Sequence, residues 1–420
     1  MPDDPAVTTR SRGSYWAVLY QRDFALFFVA ASASTLGSAV VPVALTFALL
    51  ALKYSATTIG LVLAAQTAPA VVLMLLGGVA GDRWPRRLVM IAADILRCAA
   101  QALLALILTL GHPALYSLLI LAACVGVGNA FFGPAEIGLI PQIAPPDRLK
   151  EANSLLSISG SLSAVAGPSL GGLLVSLGSA PLAIGLNAAG YAASGLCLAL
   201  MRVAAHERKP SASVIGDLRL GWVEFRRHRW LQLITAQYGL LNLVAFAPFF
   251  VLGPVLFASI PNGARLWGLV ASATGVGGVV GGLLILRYRP LRPLIAFELS
   301  AALLTTPLVL LAFHIPVLPL AVGSAVFGAS LAVLNVTAQT TIQERIPEDV
   351  LSRVNALFSL VATGLGPIGY ALCGPIAHIV GPRSLLAVGS VVILLSATGL
   401  LGSRSIRGLT NKDHLVEEPR

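Results

Sequence analysis

Twelve stretches of mostly apolar residues, separated by short polar connections, constrain this chain more than any other feature of its sequence. A helix needs about 20 residues, at about 1.5 Å per residue, to cross a hydrocarbon layer about 30 Å thick. Backbone groups in lipid must satisfy their hydrogen bonds internally, so these stretches are predicted to be membrane-spanning helices. The predicted spans cover residues 24–52, 58–81, 88–111, 113–134, 154–177, 181–202, 231–258, 266–286, 293–313, 315–336, 355–379 and 383–403.

The basic residues are distributed unevenly between the two sides of these spans. If the N-terminus is cytoplasmic, 24 of the 28 Lys and Arg lie in cytoplasmic segments, and Arg97 lies within a span. The opposite side keeps only Lys53, Arg265 and Arg383. The positive-inside rule therefore predicts that both termini are cytoplasmic. The net charge of +10 is explained by this topology, so we do not expect a nucleic-acid partner.

The remaining composition gives no sign of an enzyme or of a metalloprotein. The chain is 56% hydrophobic and 11% charged, and its four cysteines, Cys98, Cys124, Cys197 and Cys373, all lie within predicted spans. They form no CxxC pair and no disulfide framework. We therefore expect no metal, no cofactor and no catalytic residues, and we interpret the protein as a monomer in a lipid bilayer.

The two halves of the chain resemble each other at an offset close to half its length. Asn153-Ser154-Leu155 matches Asn355-Ala356-Leu357, and Ile91-Ala92-Ala93-Asp94 matches Ile295-Ala296-Phe297-Glu298. Both matches would be explained if the chain consists of two related halves with six helices each. The predicted domains are residues 1–204, a cytoplasmic linker at 205–230 with an amphipathic helix from Leu218 to Trp230, and residues 231–420. Such repeats are typical of secondary transporters.

The loop between predicted spans 2 and 3, from Gly78 to Arg87, carries the clearest motif. It resembles the loop motif of the major facilitator transporters, with Pro85 where that family usually has Gly. The resemblance implies a conformational latch formed by Gly78, Asp82, Arg83, Arg86 and Arg87, in which Glu136 is expected to pair with Arg86 or Arg87. A solvated loop is the alternative.

A second motif lies in predicted span 5, where Gly167-Pro168-Ser169-Leu170-Gly171-Gly172 resembles the antiporter motif of the same superfamily. Generic packing of small residues between helices is the alternative. Over the whole chain, the sequence is most similar to the drug–proton antiporter branch that includes the enterobactin exporter and macrolide efflux proteins. The likeness implies an all-α membrane protein of twelve helices in two six-helix pseudo-repeat bundles.

Three charged residues lie within the predicted spans and away from the span ends, and they are therefore candidates for function. Asp94 and Arg97 share one face of span 3 and can pair, either structurally or for proton coupling. Glu298 is the repeat counterpart of Asp94 and has no basic partner in its own span. An isolated buried carboxyl group suits a proton carrier.

Neutral polar residues on spans 1, 4, 7 and 10, which face the central cavity in this family, are candidates for substrate contact. Each can instead form an interhelical hydrogen bond. They are Ser34, Ser38, Asn129, Gln237, Asn242, Asn335 and Gln339.

These observations predict a proton-driven exporter of small amphipathic or lipophilic molecules in a bacterial inner membrane. An importer or uniporter of the same fold is the first alternative, and a non-transporting membrane sensor is the second.

Overall fold

The computed structural model describes residues 15–111, 113–178, 180–203, 214–288 and 290–410 of the chain. In these ranges every regular element is a helix, and eleven helices are long and apolar enough to cross a membrane. A shorter apolar helix, Ala56–Val72, continues after Leu73 as Met74–Arg83 and forms span 2 of a set of twelve. The other spans are, in chain order, Arg22–Ala51, Arg86–Thr109, Leu115–Ile143, Leu149–Ser176, Ala180–Leu200, Arg229–Phe257, Gly263–Arg287, Pro293–Ala312, Val317–Arg345, Val350–Val380 and Pro382–Leu401. The predicted fold class is confirmed.

Spans 4 and 10 both continue nine residues beyond their predicted ends, to Ile143 and Arg345. This extension adds about 13 Å to each helix. Both extensions carry polar residues, such as Glu136 and Gln343, which end an apolar run in the sequence without ending a helix.

Proline interrupts the regular winding of several spans. Span 9 loosens at Leu304 and Thr305, just before Pro307, and span 11 is interrupted at Leu365, just before Pro367. Proline lacks a backbone N–H and clashes with the preceding turn, so a break at these positions is expected. Span 7 contains a π-helical turn at Asn242–Phe246.

Corresponding spans make corresponding contacts in the two halves of the chain. In the first half span 1 packs against spans 5 and 6, span 2 against span 4, and span 3 against spans 4 and 6. In the second half span 7 packs against spans 11 and 12, span 8 against span 10, and span 9 against spans 10 and 12. This agreement follows from the repeat that the sequence matches indicate.

The helix that precedes span 7 begins four residues earlier and ends three residues earlier than predicted. It covers Val214–Arg227 and packs against the beginning of span 11, where Gly221 lies against Arg353. His228 has an extended backbone, so Trp230 belongs to span 7 and is buried rather than being part of the linker helix. The beginning of the predicted linker, residues 205–213, lies outside the described ranges.

A small cluster of polar side chains lies at the C-terminal end of the linker helix. The His228 ring bonds the Glu224 carboxylate at 2.9 Å, and Arg227 donates to the same carboxylate at 2.9 Å. The hydrogen bond with His228 has the largest effect on the pKa of Glu224, which it lowers, and the hydrogen bond from Arg227 lowers this pKa further.

Candidate functional site: a cavity between the two halves

A cavity of about 290 Å³ lies between the two halves of the bundle. Its wall comes from spans 1, 2 and 5 on one side and from spans 7, 8 and 11 on the other. Three aromatic residues of the second half, Phe250, Trp267 and Tyr370, line it. Because both halves contribute to the wall, any relative movement of the halves changes the shape of this cavity.

The cavity is predominantly apolar and contains few polar groups. Thr67 donates its hydroxyl proton to the Leu63 carbonyl within its own helix, at 2.9 Å. Gln66 also lines the cavity, and its carboxamide has no hydrogen-bond partner among the described residues. An apolar wall with a small number of oriented polar groups is the usual chemistry of a site for small amphipathic molecules.

Spans 5 and 8 close one end of the cavity by direct backbone contact. Gly172 lies against the carbonyl of Ala264, and Gly268 lies against the carbonyl of Pro168. Neither position has room for a Cβ atom without movement of the backbone. The antiporter-like motif therefore forms part of the contact between the halves. Its other glycines, Gly167 and Gly171, pack on span 1 within the first half.

Spans 2 and 11 form a second contact between the halves. Gly60 lies against the carbonyl of Tyr370, and Gly374 lies against the backbone of Thr57. These residues lie toward the same end as Ala264, which the charge distribution predicts to be outside. The two halves are therefore packed together at the predicted outer end.

Asp94 and Arg97 form a buried ion pair in span 3, and their side chains are 1% and 4% exposed. The second oxygen of Asp94 accepts a hydrogen bond from Ser194 of span 6 at 2.7 Å. The Arg97 guanidinium lies 4.0 Å from the centre of the Phe132 ring and 4.3 Å from that of Tyr191. These contacts stabilise both charges at a buried site where water does not solvate them.

The buried pair is linked to exposed residues on spans 1 and 4. Arg97 donates to the side-chain oxygen of Asn129 at 3.1 Å, and Asn129 itself is exposed. Ser38, also exposed, bonds the Tyr191 hydroxyl at 2.9 Å. Two of the predicted cavity residues thus connect an accessible surface to the ion pair.

Glu136 lies inside span 4, two turns before its end, rather than at the end of the span. Arg97 and Asp94 are the charged residues that interact with Glu136 electrostatically. Within the described residues no cation lies within 4 Å of its carboxylate, so the expected ion pair is not formed in this conformation.

Glu298 of span 9 is 0% exposed, and neither of its carboxyl oxygens has a hydrogen-bond partner among the described residues. Its surroundings differ from those of its repeat counterpart Asp94. Ser194 of span 6 donates to Asp94, whereas Ser396 of span 12 donates to Gln237 of span 7 and not to Glu298. Ionising an unpartnered carboxyl group in such a place costs several kcal/mol.

Arg86 and Arg87 of the predicted latch bind carbonyl groups near helix ends within the first half. Arg86 donates to the carbonyl of Gly138, near the end of span 4, and Arg87 donates to the carbonyl of Ala199 in span 6 at 2.7 Å. Cations are favoured at helix C-termini. The surroundings of Gly78 and the side chain of Asp82 lie outside the described part of the structure, and Arg83 is exposed.

Two sequence details of this loop are explained by its backbone. Pro85 has a φ of −56°, which suits proline, so the glycine that is usual in the family is not required for the turn. Gly77, which is not one of the predicted latch residues, makes the close helix contact, because it lies against the carbonyl of Ala130 in span 4.

None of the seven polar residues predicted to contact substrate lines the 290 Å³ cavity. Ser34 and Gln237 are buried, while Ser38, Asn129 and Asn335 are exposed. Asn335 accepts a hydrogen bond from the Tyr238 hydroxyl, and Asn242 donates to the Ala362 carbonyl of span 11 at 3.1 Å. Gln339 is half-buried. A role for these residues in a wider cavity stays a prediction.

Solved structures of transporters share this fold. The nucleoside transporter NupG superimposes with a TM-score of 0.73 at 13% identity, over 91% of this chain and 99% of that one. A bacterial homolog to the human lysosomal transporter Spinster, solved in an inward-facing and unoccupied conformation, gives a TM-score of 0.65 at 16% identity, over 94% and 98% of the two chains.

The sequence is also similar to named efflux proteins. It is 28% identical to the multidrug efflux pump Tap of Mycolicibacterium fortuitum, over 88% of this chain and 93% of that protein. It is 21% identical to macrolide efflux protein A of Streptococcus pyogenes, over 76% and 80% of the two chains. The family model of the Major Facilitator Superfamily matches residues 24–369. With twelve spans, repeated helix contacts and a cavity between its halves, this chain belongs to the Major Facilitator Superfamily of membrane transporters.

Proposed function

We propose that this transporter exports small amphipathic or lipophilic molecules, such as a drug, a siderophore or a secondary metabolite, in exchange for protons. The observation that carries the proposal is the apolar cavity between the halves, with its aromatic wall and its few polar groups. Such a wall favours apolar and amphipathic ligands over sugars or highly charged molecules. The similarity to a multidrug efflux pump and to a macrolide efflux protein supports the direction of transport.

The closed end of the cavity supports an alternating-access cycle. Glycine contacts between spans 5 and 8 and between spans 2 and 11 pack the halves together at the predicted outer end. With the topology that the basic residues predict, this conformation faces the cytoplasm. Export then requires the glycine contacts to separate and the opposite end, which carries Asp82 and Arg86, to close. The two six-helix bundles, residues 1–204 and 231–420, are proposed to move as bodies about the linker.

Proton exchange is assigned to the buried acids. Glu298 is the first candidate because it is buried and unpartnered, so a proton can be gained or lost there without breaking an ion pair. Asp94 and Arg97 are the second candidates, because hydrogen bonds link their pair to the exposed residue Asn129.

The proposed location is a bacterial inner membrane, with both termini and the linker in the cytoplasm. Twenty-four of the 28 basic residues lie on that side in this topology. We propose that a monomer performs the transport.

Drug accumulation in a deletion strain tests this function. Cells that carry the transporter should accumulate less of at least one amphipathic drug than cells with an empty plasmid, and an uncoupler should abolish the difference. Phe250→Ala changes the cavity wall and should alter the drug profile, whereas Phe313→Ala changes an exposed aromatic residue and should not. Equal accumulation across a broad panel would refute export, and greater accumulation with the transporter would identify an importer or a uniporter.

A further inference from the structure

The aromatic wall of the cavity between the halves is held in place by its neighbours. Trp267 packs against Phe249 and Phe257, whose ring centres lie 5.1 and 5.5 Å from its own. Gly253 lies against the edge of the Trp267 ring, where a Cβ atom would have no room. A fixed apolar wall of this kind favours a flat aromatic ligand, because binding does not have to order the side chains first.

Three side chains that line the cavity carry polar groups without a hydrogen-bond partner among the described residues. They are the Thr46 hydroxyl and the Gln66 carboxamide of the first half, and the Tyr370 hydroxyl of the second half. Thr46 is only 2% exposed. A polar group that is shielded from water and has no partner is unfavourable, so a ligand that supplies the partner gains affinity.

Gln66 is the best placed of these three residues to recognise a ligand. Its backbone carbonyl lies against Gly126 of span 4, where a Cβ atom would have no room, so span 2 is fixed at this residue. The side chain is half-buried, and its amide group offers two N–H donors. The matching groups on a ligand are the oxygens of carbonyls, esters, lactones and amides.

The cavity offers no compensation for a charged ligand. Among the described residues that line it, none is Asp, Glu, Lys, Arg or His. Moving an uncompensated charge from water into apolar surroundings is strongly unfavourable. The volume of about 290 Å³ lies at the lower end of the range for sites of drug-sized ligands, so it suits a compact molecule rather than a macrocycle.

We propose that this cavity selects compact, uncharged aromatic molecules with a carbonyl-type acceptor, and that Gln66 is the specificity-determining residue that donates to this acceptor. The Tyr370 hydroxyl bonds to the same ligand from the other half. Separation of the halves at the predicted outer end then breaks one of these bonds, so the affinity falls where the ligand is released. The proposal rests on the transport function proposed above and specifies its substrate class.

Binding of three coumarin dyes to the purified full-length protein in lipid nanodiscs tests the selection against charge. The dye 7-amino-4-methylcoumarin is flat and uncharged and has a lactone carbonyl, its 3-acetic acid derivative is an anion, and its N,N,N-trimethyl derivative is a cation. The wild type should bind the uncharged dye saturably, and at least tenfold more tightly than either charged dye. Equal or tighter binding of a charged dye, or no saturable binding of the uncharged one, would overturn the proposal.

Gln66→Leu tests the hydrogen bond to the acceptor. The variant should fold, because the Gln66 side chain bonds to no other described residue and the wall around it is apolar. Its affinity for 7-amino-4-methylcoumarin should fall by about two- to tenfold. Its affinity for 2-aminonaphthalene, which keeps the fused rings and the amino group but lacks the carbonyl, should not change. A merely structural role would weaken both ligands alike, and that result, or no change for either ligand, would remove Gln66 from recognition.

Gln343→Leu is the matched control, since it makes the same substitution at an exposed glutamine of span 10 outside the cavity. It should bind all the dyes as the wild type does. Drug accumulation tests export independently of these measurements. Reduced accumulation together with indiscriminate dye binding would overturn this inference alone, whereas selective dye binding without any change in accumulation would overturn export alone.

Discussion

Ser169 of span 5 and Ser272 of span 8 join the two halves of the transporter by a hydrogen bond of 2.7 Å between their hydroxyl groups. The Ser272 oxygen also accepts from the backbone N–H of Ser169 at 3.0 Å. This link lies in the seam formed by Gly172, Gly268 and their partners, beside the cavity. Because the link crosses this seam, separation of the halves at the predicted outer end has to break it, so it stabilises the closed state.

Ser272→Ala should open the outer end more often. A net contribution of about 0.5–1.5 kcal/mol per hydrogen bond corresponds to a shift of roughly two- to tenfold in the equilibrium. The labelling rate of a cysteine placed at Thr46, in a background without native cysteines, should rise by that factor with a membrane-impermeant reagent. Ser176→Ala, which removes a hydroxyl bonded only within span 5, should leave the rate unchanged. Equal rates in both variants would contradict the role of the pair.

Gly172→Val should prevent the seam from closing, because its side chain would meet the carbonyl of Ala264. Drug efflux should fall sharply while the protein remains abundant in the membrane. Gly160→Val lies in the same span but has no neighbour within 4 Å, and it should transport normally. Efflux and membrane abundance measured in the same cells check this prediction, and normal efflux in Gly172→Val would contradict the packing argument.

Glu298→Gln should stop uphill transport driven by a pH gradient and should spare downhill exchange, since the amide mimics the protonated acid. Proteoliposomes with and without an imposed gradient separate the two activities. Full uphill transport in this variant would move proton coupling to Asp94 or Glu136, or would show that protons do not drive export.

Asp94→Asn should instead lower the amount of folded protein, because it leaves Arg97 without its buried partner. Removal of one partner from a buried pair typically costs about 3–5 kcal/mol. Fluorescence-detected size-exclusion chromatography measures the folded fraction. A well-folded Asp94→Asn protein that has lost only uphill transport would assign proton coupling to this residue.

Asp82→Asn should reduce transport without removing the protein from the membrane, if the loop after span 2 acts as a latch. A charge at a helix end contributes about 0.3–1 kcal/mol, which shifts a two-state equilibrium a few-fold. Transport and surface abundance are measured together, and wild-type efflux by an abundant Asp82→Asn protein would refute the latch.

Reporter fusions test the topology. Fusions after residues 53, 112, 179, 262, 314 and 380 should report an external location, and a fusion at residue 212 should report a cytoplasmic one. This outcome is expected because basic residues are retained in the cytoplasm. The opposite pattern would exclude the inward-facing interpretation of the closed end.

The sequence by itself determined the number of spans, the repeat and the class of transporter, because the length and apolarity of a membrane helix are local properties. It also identified Asp94 and Arg97 as a pair from their spacing alone. The glycines of the antiporter-like motif were recognised as packing residues, but not their partners in span 8.

Only the tertiary structure decided which residues face which neighbours. Gln66, Phe250, Trp267 and Tyr370 line the cavity, yet in the sequence they look like ordinary residues of apolar helices, since the direction of a side chain depends on how distant helices pack. The same reason explains why Glu298 lacks a partner while Asp94 has two. Asp94 and Glu298 occupy matching positions in the two halves of the sequence. Ser194 donates to Asp94 in the first half, whereas neither carboxyl oxygen of Glu298 has a hydrogen-bond partner among the described residues.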